Sequence, residues 1–403
     1  MGRMAVEPQA RTWEASFAER TRGGAGDAIA AILAFAGATD VISFAGGFPD
    51  PKTFPGKALA EIHAELVENG DASPFQYAPT RGLPGPRDYV ASRVERLDGR
   101  RPDDPELLLT SGAIEALELI GKAFLDQGDD VVVEAPTYLG GIMAFESFES
   151  RVRGVPLDDE GMQVDALESL LARGRAPKLV YTIPDHQNPA GVSLTAERRE
   201  RLVELARRHG FLLVEDVAYR ELRYSGEQPP SLWSLAPEAV VQIGTFSKTF
   251  VPGVRLGWAV GPPEVVARLT WAKQLTDQCA GALGQRLLEE YGRRGLLDRQ
   301  IAGAIELYRG RRDALLAALE RHFAGAARWT RSAGGFFSWV ELAPPQSAVD
   351  LAQRALAEGV AIVPGGPFFP EGGGERHLRL SFSLVSEAEI DEGIRRVGAL
   401  LHP

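Results

Sequence analysis

Residues 242–258 read QIGTFSKTFVPGVRLGW. A mostly apolar run over 239–243 ends in the small polar set Thr245-Phe246-Ser247-Lys248-Thr249, and Arg255 follows seven residues after Lys248. A strand that ends in hydroxyls and one lysine, with an arginine nearby, suits an aldehyde that carries a phosphate. A lysine amine condenses with an aldehyde to a Schiff base. Thr245, Ser247 and Arg255 supply donors for a phosphate dianion. A lysine ordinarily stays at the surface. Here only six of the 44 basic residues are lysines, and one of the six stands between two hydroxyl residues directly after an apolar strand.

Outward from this stretch, short apolar segments alternate with amphipathic ones. Strands are predicted at 107–110, 131–134, 152–155, 179–183, 211–215, 240–245 and 255–260. Helices are predicted over 86–96, 113–125, 138–148, 164–172 and 196–209, the last with Thr195 as N-cap. Such alternation builds an α/β fold, a large domain whose mostly parallel sheet is covered by helices. Sites in such sheets form at the carboxyl ends of the strands. Past 260 the pattern turns helical, over 263–274, 284–293 and 300–322. It closes in a smaller α+β domain with strands at 336–341, 361–363 and 378–382 and helices over 348–358 and 387–400. The expected division is 1–45, joining the small domain, then 46–295 as the large domain and 296–403 as the small one.

Each chemistry-bearing residue of the large domain lies just after a strand. Ser111-Gly112-Ala113 joins a strand to a helix. The free N–H groups of a helix start bind an anion without a charged side chain, although an ordinary turn reads the same way. Tyr138 is placed either to pack in the core or to stack on a flat ring. Asn188 sits in Asn188-Pro189-Ala190-Gly191, which by itself is a turn signature. Glu215 and Asp216 are adjacent, so they point to opposite faces and only one of them faces a site. Arg379, between two leucines on a buried strand, needs an anion, either an internal carboxylate or a bound one. Gly46-Gly47 ends a short strand in a turn or in a close backbone approach. Tyr77 lies in a proline-glycine loop over 76–85.

In this order the residues resemble the fold-type I pyridoxal-phosphate (PLP) enzymes of the class I/II aminotransferase family, and within it the aminoadipate/kynurenine aminotransferase group. The likeness runs from about Val41 to Leu400. It implies PLP as cofactor, held by Lys248 as an imine. Lys248 would move the Cα proton of the substrate. Asp216 would keep the pyridine nitrogen protonated, and Tyr219 would hydrogen-bond the ring oxygen. Ser111, Gly112, Ala113, Thr245, Ser247 and Arg255 would hold the phosphate. Tyr138 would stack on the ring and Asn188 would donate to its oxygen. Tyr77 would reach the partner's cofactor phosphate across a homodimer. Gly46, Gly47, Asn188 and Arg379 would meet the substrate, with Arg379 as a bidentate clamp on its α-carboxylate. The implied reaction moves the α-amino group of an amino acid to a 2-oxo acid by way of pyridoxamine phosphate.

The chain also departs from the family pattern. Close relatives often have Ser-Gln where Ala113-Ile114 stands, which would leave backbone donors alone at that turn. Ala190 replaces the Thr of Asn-Pro-Thr-Gly. Phe336-Phe337-Ser338-Trp339 departs from Gly-Gly-Met-Phe-x-Trp and points to a specialised substrate. The same residue set serves β- and γ-lyases, decarboxylases and oxidases. His186, beside Asn188, is either a loop histidine or a group that redirects protons. MocR-type regulators, which use this domain to sense effectors, need a winged helix-turn-helix ahead of it, and about forty residues precede Ser43.

With 403 residues, 44% hydrophobic and 25% charged, the chain is long enough for a large core and two domains. The net charge of −11 argues against a nucleic-acid partner. Cys279 is the single cysteine, which fits a reducing compartment, and six scattered histidines show no metal-ligand spacing. No apolar run suits a membrane span or a secretory leader, so the expected location is the cytoplasm. Near the start, Gly23-Gly24-Ala25-Gly26 reads as a hinge and 28–35 as a helix capped by Asp27. Arg20 and Arg22 are candidate cations for the tail of a dicarboxylate substrate.

Overall fold

Runs such as Val131-Val132-Val133 and Leu107-Leu108-Leu109 carry no polar residue to turn towards water. Both are fully or almost fully buried within one eight-stranded sheet. The computed structural model describes residues 13–21, 41–174 and 176–401. The expected hinge at Gly23–Gly26, the helix over 28–35 with Asp27, and Arg22 lie outside the described residues.

A short strand β1 (Ile42–Ser43) precedes the large sheet. The sheet has the order β2 (Leu107–Thr110), β9 (Gly257–Val260), β8 (Val240–Thr245), β7 (Leu212–Asp216), β6 (Leu179–Thr182), β3 (Asp130–Ala135), β4 (Arg151–Asp158) and β5 (Gly161–Met162). From β8 across to β4 the strands are parallel, and β9 and β5 pair antiparallel to their neighbours. The mostly parallel α/β sheet of the sequence reading is therefore present. Alternate residues feed opposite layers. Leu107 and Leu109 join one apolar core with Val132, Leu213 and Trp233, while Leu108 joins the other with Val131, Val133 and Leu117.

The C-terminal part holds an antiparallel sheet in the order β10 (Ala327–Trp329), β11 (Phe337–Leu342), β14 (His377–Ser381) and β13 (Val363–Pro364). The helices Leu296–His322, Ala348–Ala357 and Glu387–Leu401 complete its core. β1 pairs in parallel with β12 (Val360–Ala361), and Phe44 is fully buried in this C-terminal core. The chain thus leaves the C-terminal core directly at Gly46-Gly47. Among the described residues no helix is long and apolar enough to cross a membrane, and no group of His, Cys, Asp or Glu could hold a metal ion.

Several elements differ from the sequence expectation, and three of them have a plain physical reason. The helix Gly56–Glu68 was not predicted, because it buries only Ile62 and Leu66 and opens on Pro55 without a side-chain cap. β10 is a three-residue edge strand with no fully buried residue, too short to show a period. β9 starts at Gly257 rather than at 255, because Arg255 takes φ 50° as the end of the turn Pro252–Val254.

A buried ion cluster pins the loops that follow β6 and β7. Asp185 accepts from Arg199 Nη2 (2.8 Å), Arg220 Nη1 (2.9 Å) and Gln228 Nε2 (2.9 Å). Arg199, fully buried, also donates to the carbonyls of Pro184, Leu194 and Pro230. Burial alone would raise the Asp185 pKa, but the charges of Arg199 and Arg220 reverse this and hold it well below the usual carboxylate range. One carboxylate so fixes both the loop with Asn188 and the loop with Tyr219. Removing one partner of a buried pair costs about 3–5 kcal/mol, because the other charge is left buried. Arg199→Met is expected to lose about 3 kcal/mol of stability, read as a lower midpoint in urea unfolding. An unchanged midpoint would mean that the cluster adds nothing to the fold.

Candidate active site

The parallel register places Thr182 opposite Glu215 and Asp216 opposite Ile243, so β6, β7 and β8 end side by side. Beyond these ends lies a cavity of about 260 Å³, closed on its other side by Gly47, Phe337, Phe368 and Arg379. Lys248, Asp216, Tyr219, Asn188, Tyr138, Thr245, Ser247 and Arg255 also line it. A set scattered over more than two hundred residues of sequence is therefore gathered at one place.

Lys248 stands in the turn that ends β8. Its Nζ donates to the Gly47 carbonyl (2.8 Å) and lies 5.7 Å from the centre of the Tyr219 ring. Burial, with the charge of Arg379 close by, lowers its pKa to about 8. An appreciable share of the amine is then unprotonated near neutral pH and able to act as a nucleophile. Asp216 accepts from Tyr181 Oη (3.0 Å) and from the Ala218 N–H (3.1 Å). Burial raises its pKa to about 6, and among the described residues no cation forms an ion pair with it. Glu215 points the other way, accepting from the N–H groups of Leu232 (2.7 Å) and Trp233 (3.0 Å) and from Gln242 Nε2 (3.1 Å).

Tyr219 is buried edge-on against Phe336 and Phe337, with ring centres 5.4 and 5.8 Å away. Burial raises its pKa and keeps the phenol protonated. Tyr138 heads the helix Leu139–Glu146, and burial pushes its pKa up to about 12. Arg379 lies between the rings of Phe337 (4.7 Å) and Phe368 (4.9 Å). It donates to Asn188 Oδ1 (3.2 Å) and to the Ala45 carbonyl (2.7 Å), while its buried Nε has no partner. Burial lowers its pKa to about 10, so it remains a cation at neutral pH.

The opposite end of the cavity suits an anion. Gly112 has φ 98°, and a Cβ there would sit 2.8 Å from Arg255 Nη2. Only glycine meets both conditions. It heads the helix Ala113–Phe124, whose start carries no side-chain cap. Arg255 donates to Ser247 Oγ (3.3 Å) and to the Ser111 carbonyl (3.4 Å), and Thr245 Oγ1 donates to Ser247 Oγ (3.0 Å).

Other expected residues stand apart from the cavity wall. The Ser111 hydroxyl donates to Asp277 Oδ2 (2.7 Å), and the Gly46 carbonyl accepts from Ser383 Oγ (3.5 Å). Tyr77 is 80% exposed and outside the cavity. Arg20 lies beside Glu118, Ser147 and Phe148, away from the cavity. His186 is fully buried at φ 52° beside Ser193 Oγ (3.3 Å) and packs on Gly334-Gly335, where any Cβ would collide with it. Burial lowers its pKa to about 3, so it stays neutral. Sequence reasoning did not single out Tyr181, Phe48, Leu139 or Phe368, and it met Ile114 only as a departure from the family pattern. Only Phe368 carried a signal, its place in the loop Gly365-Gly366-Pro367-Phe368.

Comparisons with known proteins give the family. The family model for aminotransferase class I and II matches residues 39–397. The chain is 40% identical over 398 residues to an aromatic-amino-acid aminotransferase 1 of Thermococcus litoralis, covering 97% of this chain and 95% of that one. It is 42% identical over 365 residues to a 2-aminoadipate transaminase of Thermus thermophilus, covering 90% of each. A kynurenine aminotransferase of Pyrococcus horikoshii, solved in complex with PMP, superposes with a TM-score of 0.91 at 38% identity, covering 96% of this chain and 97% of that one. The chain belongs to the class I and II aminotransferase family. It is an enzyme of fold type I that uses pyridoxal 5′-phosphate to pass the α-amino group of an amino acid to a 2-oxo acid.

The residues present fit that cofactor. A buried carboxylate without a cation suits a protonated ring nitrogen, an uncapped helix start beside Arg255 suits a phosphate, and a depressed lysine suits an aldehyde. The Asp216 charge burdens the cofactor-free fold. Its folded pKa, about 6, lies above the unfolded value of about 3.9, so the penalty is present above pH 6 and vanishes below about pH 4. Asp216→Asn is expected to stabilise the cofactor-free protein by about 2 kcal/mol at pH 8 and by little at pH 4. The check is urea unfolding at both pH values; a variant no more stable than the parent at pH 8 would refute burial as the cause.

Proposed function

We propose that Lys248, Asp216 and Tyr219 carry the catalytic steps and that Arg379, steadied by Asn188, holds the α-carboxylate of the amino acid. Arg379 is the observation that carries this reading. A fully desolvated guanidinium between two rings, bonded only to neutral oxygens and with Nε unpartnered, has no acid within ion-pair distance among the described residues. The internal salt bridge considered from the sequence is absent there. A bound carboxylate supplies the missing anion, and its two oxygens match the guanidinium fork.

Bound PLP supplies an aldehyde for amine exchange and a ring that accepts electrons from the substrate Cα. Lys248, with its amine free, would act as the base that takes the proton from the substrate Cα and as the acid that gives it back. Its lowered pKa suits both directions of that transfer. Asp216 would accept from the pyridine N–H, and Tyr181 and the Ala218 N–H hold its carboxylate in place for this. Tyr219 and Asn188 would serve the ring oxygen, and Tyr138 would pack on the ring. Thr245, Ser247, Arg255 and the backbone of Ser111, Gly112 and Ala113 hold the phosphate. The Gly46-Gly47 backbone lies against the substrate. The exposure of Tyr77 in a single chain supports its reaching the site of a second copy in a homodimer. The apolar wall of Phe48, Ile114, Leu139 and Phe337 supports a donor with a long or aromatic side chain, the kind of substrate named for the relatives. We place the enzyme in the cytoplasm, with 46–295 as its large domain and 296–403, joined by 1–45, as its small one.

Two measurements test the assignment. The loaded enzyme, mixed with amino acids and no 2-oxo acid, is expected to give pyridoxamine phosphate and oxo acid in equal amounts. Lys248→Ala should abolish this, and borohydride should no longer fix cofactor mass onto the chain. Arg379→Lys is expected to raise the KM for the amino acid about a hundredfold, the worth of a lost bidentate contact, while cofactor affinity stays within about threefold. A rise of less than about tenfold would assign the carboxylate to another residue.

A further inference from the structure

One buried cation has no part in the chemistry above. Lys273 is fully buried near the end of the helix Pro263–Gln274. Its Nζ donates to both oxygens of Glu115 (2.6 and 2.7 Å) and to both of Asp277 (2.8 Å each). Both acids also grip Ser111, the residue that opens the anion-binding turn. Glu115 accepts from the Ser111 N–H, and Asp277 accepts from the Ser111 hydroxyl (2.7 Å). The carbonyl of the same residue accepts from Arg255 (3.4 Å).

Two carboxylates therefore lie directly beneath the turn that is read as the phosphate site. Left unbalanced, they would repel a dianion through a partly buried medium, where charges a few ångströms apart interact strongly. With Lys273 between them the cluster carries one net negative charge instead of two. The balance matters more because Ala113-Ile114 follows, which offers the turn no side-chain hydroxyl or amide. Backbone N–H groups and local charge then set the strength of the anion site.

We propose that Lys273 is a positioning residue for the phosphate arm of the cofactor: its ammonium offsets Glu115 and Asp277, so that these acids anchor Ser111 without driving the phosphate away. The proposal rests on the reading of Ser111-Gly112-Ala113 with Arg255 as the phosphate site.

The test compares PLP with pyridoxal, which has the same ring and aldehyde but no phosphate. Each is titrated into the cofactor-free full chain and followed by absorbance. The parent is expected to bind PLP far more tightly than pyridoxal. In Lys273→Met the affinity for PLP should fall about thirtyfold while that for pyridoxal stays within about threefold. The double variant Lys273→Met/Asp277→Asn, with the net charge of the cluster restored, should recover most of the preference. Parallel loss of both ligands in the single variant would make Lys273 merely structural, and an unchanged preference would remove it from the site; either overturns the proposal. A parent that binds both ligands equally would overturn the phosphate reading itself, and the proposal with it. Should Lys273→Met not fold, Asp277→Asn reads the same coupling with the opposite sign. It removes a charge yet keeps an acceptor for Ser111, so the preference should rise about threefold. An unchanged or lower preference there overturns the proposal.

Discussion

Parallel pairing of β6, β7 and β8 is the constraint on which the site depends. Strands that run the same way must end on the same side, and each return connection is a helix that covers a face of the sheet. Thr182, Asp216 and Thr245 therefore finish at one edge. The loops beyond that edge are then fixed by polar contacts in place of the ladder. Asp185 ties the Asn188 loop to the Tyr219 loop through Arg220, and the turn after β8 is tied to the C-terminal core through the bond from Lys248 to Gly47. Packing sets the positions of these side chains, while the loops set their orientation.

The cavity that results is unbalanced in charge. Among its described lining residues three are cations, Lys248, Arg255 and Arg379, and one is an anion, Asp216. Such an excess is costly in a buried space unless anions enter it. On the proposed reading, a phosphate at one end and a carboxylate at the other would match the excess and account for the separation of Arg255 from Arg379. The lowered pKa of Lys248 follows from the same field, since burial and Arg379 both disfavour another positive charge.

Much of this was legible in the sequence because parallel strands buried on both faces read as apolar runs, and because the motif residues follow those runs directly. Lys248, Asn188 and Asp216 could be placed relative to strand ends without coordinates. The rest was hidden for particular reasons. Tyr181 is one more apolar-run residue until its hydroxyl is seen bonded to Asp216. The pairing of β1 with β12 joins segments more than three hundred residues apart, and two-residue strands have no periodicity to read. The start of β9 was misplaced because an arginine in a left-handed conformation interrupts an otherwise strand-like run. The hydroxyl of Ser111 serves Asp277, a partner 166 residues away that no local pattern around the turn reveals.

The contact between His186 and Gly334-Gly335 bears on how the residues that follow meet the cavity. A side chain at Gly334 would strike the imidazole and one at Gly335 the Cβ of the same histidine, whose ring lies beside Ser193. The two glycines are thus tied to the Asn188 loop, whereas the residues after them face the cavity. Phe337 lines it, and Phe336 braces Tyr219. Backbone contact and side-chain contact with the cavity are therefore divided between neighbouring positions. Residues 334–335 are held by close backbone contact with His186, while the aromatic pair that follows packs on Tyr219, with Phe337 also against Arg379 and the cavity.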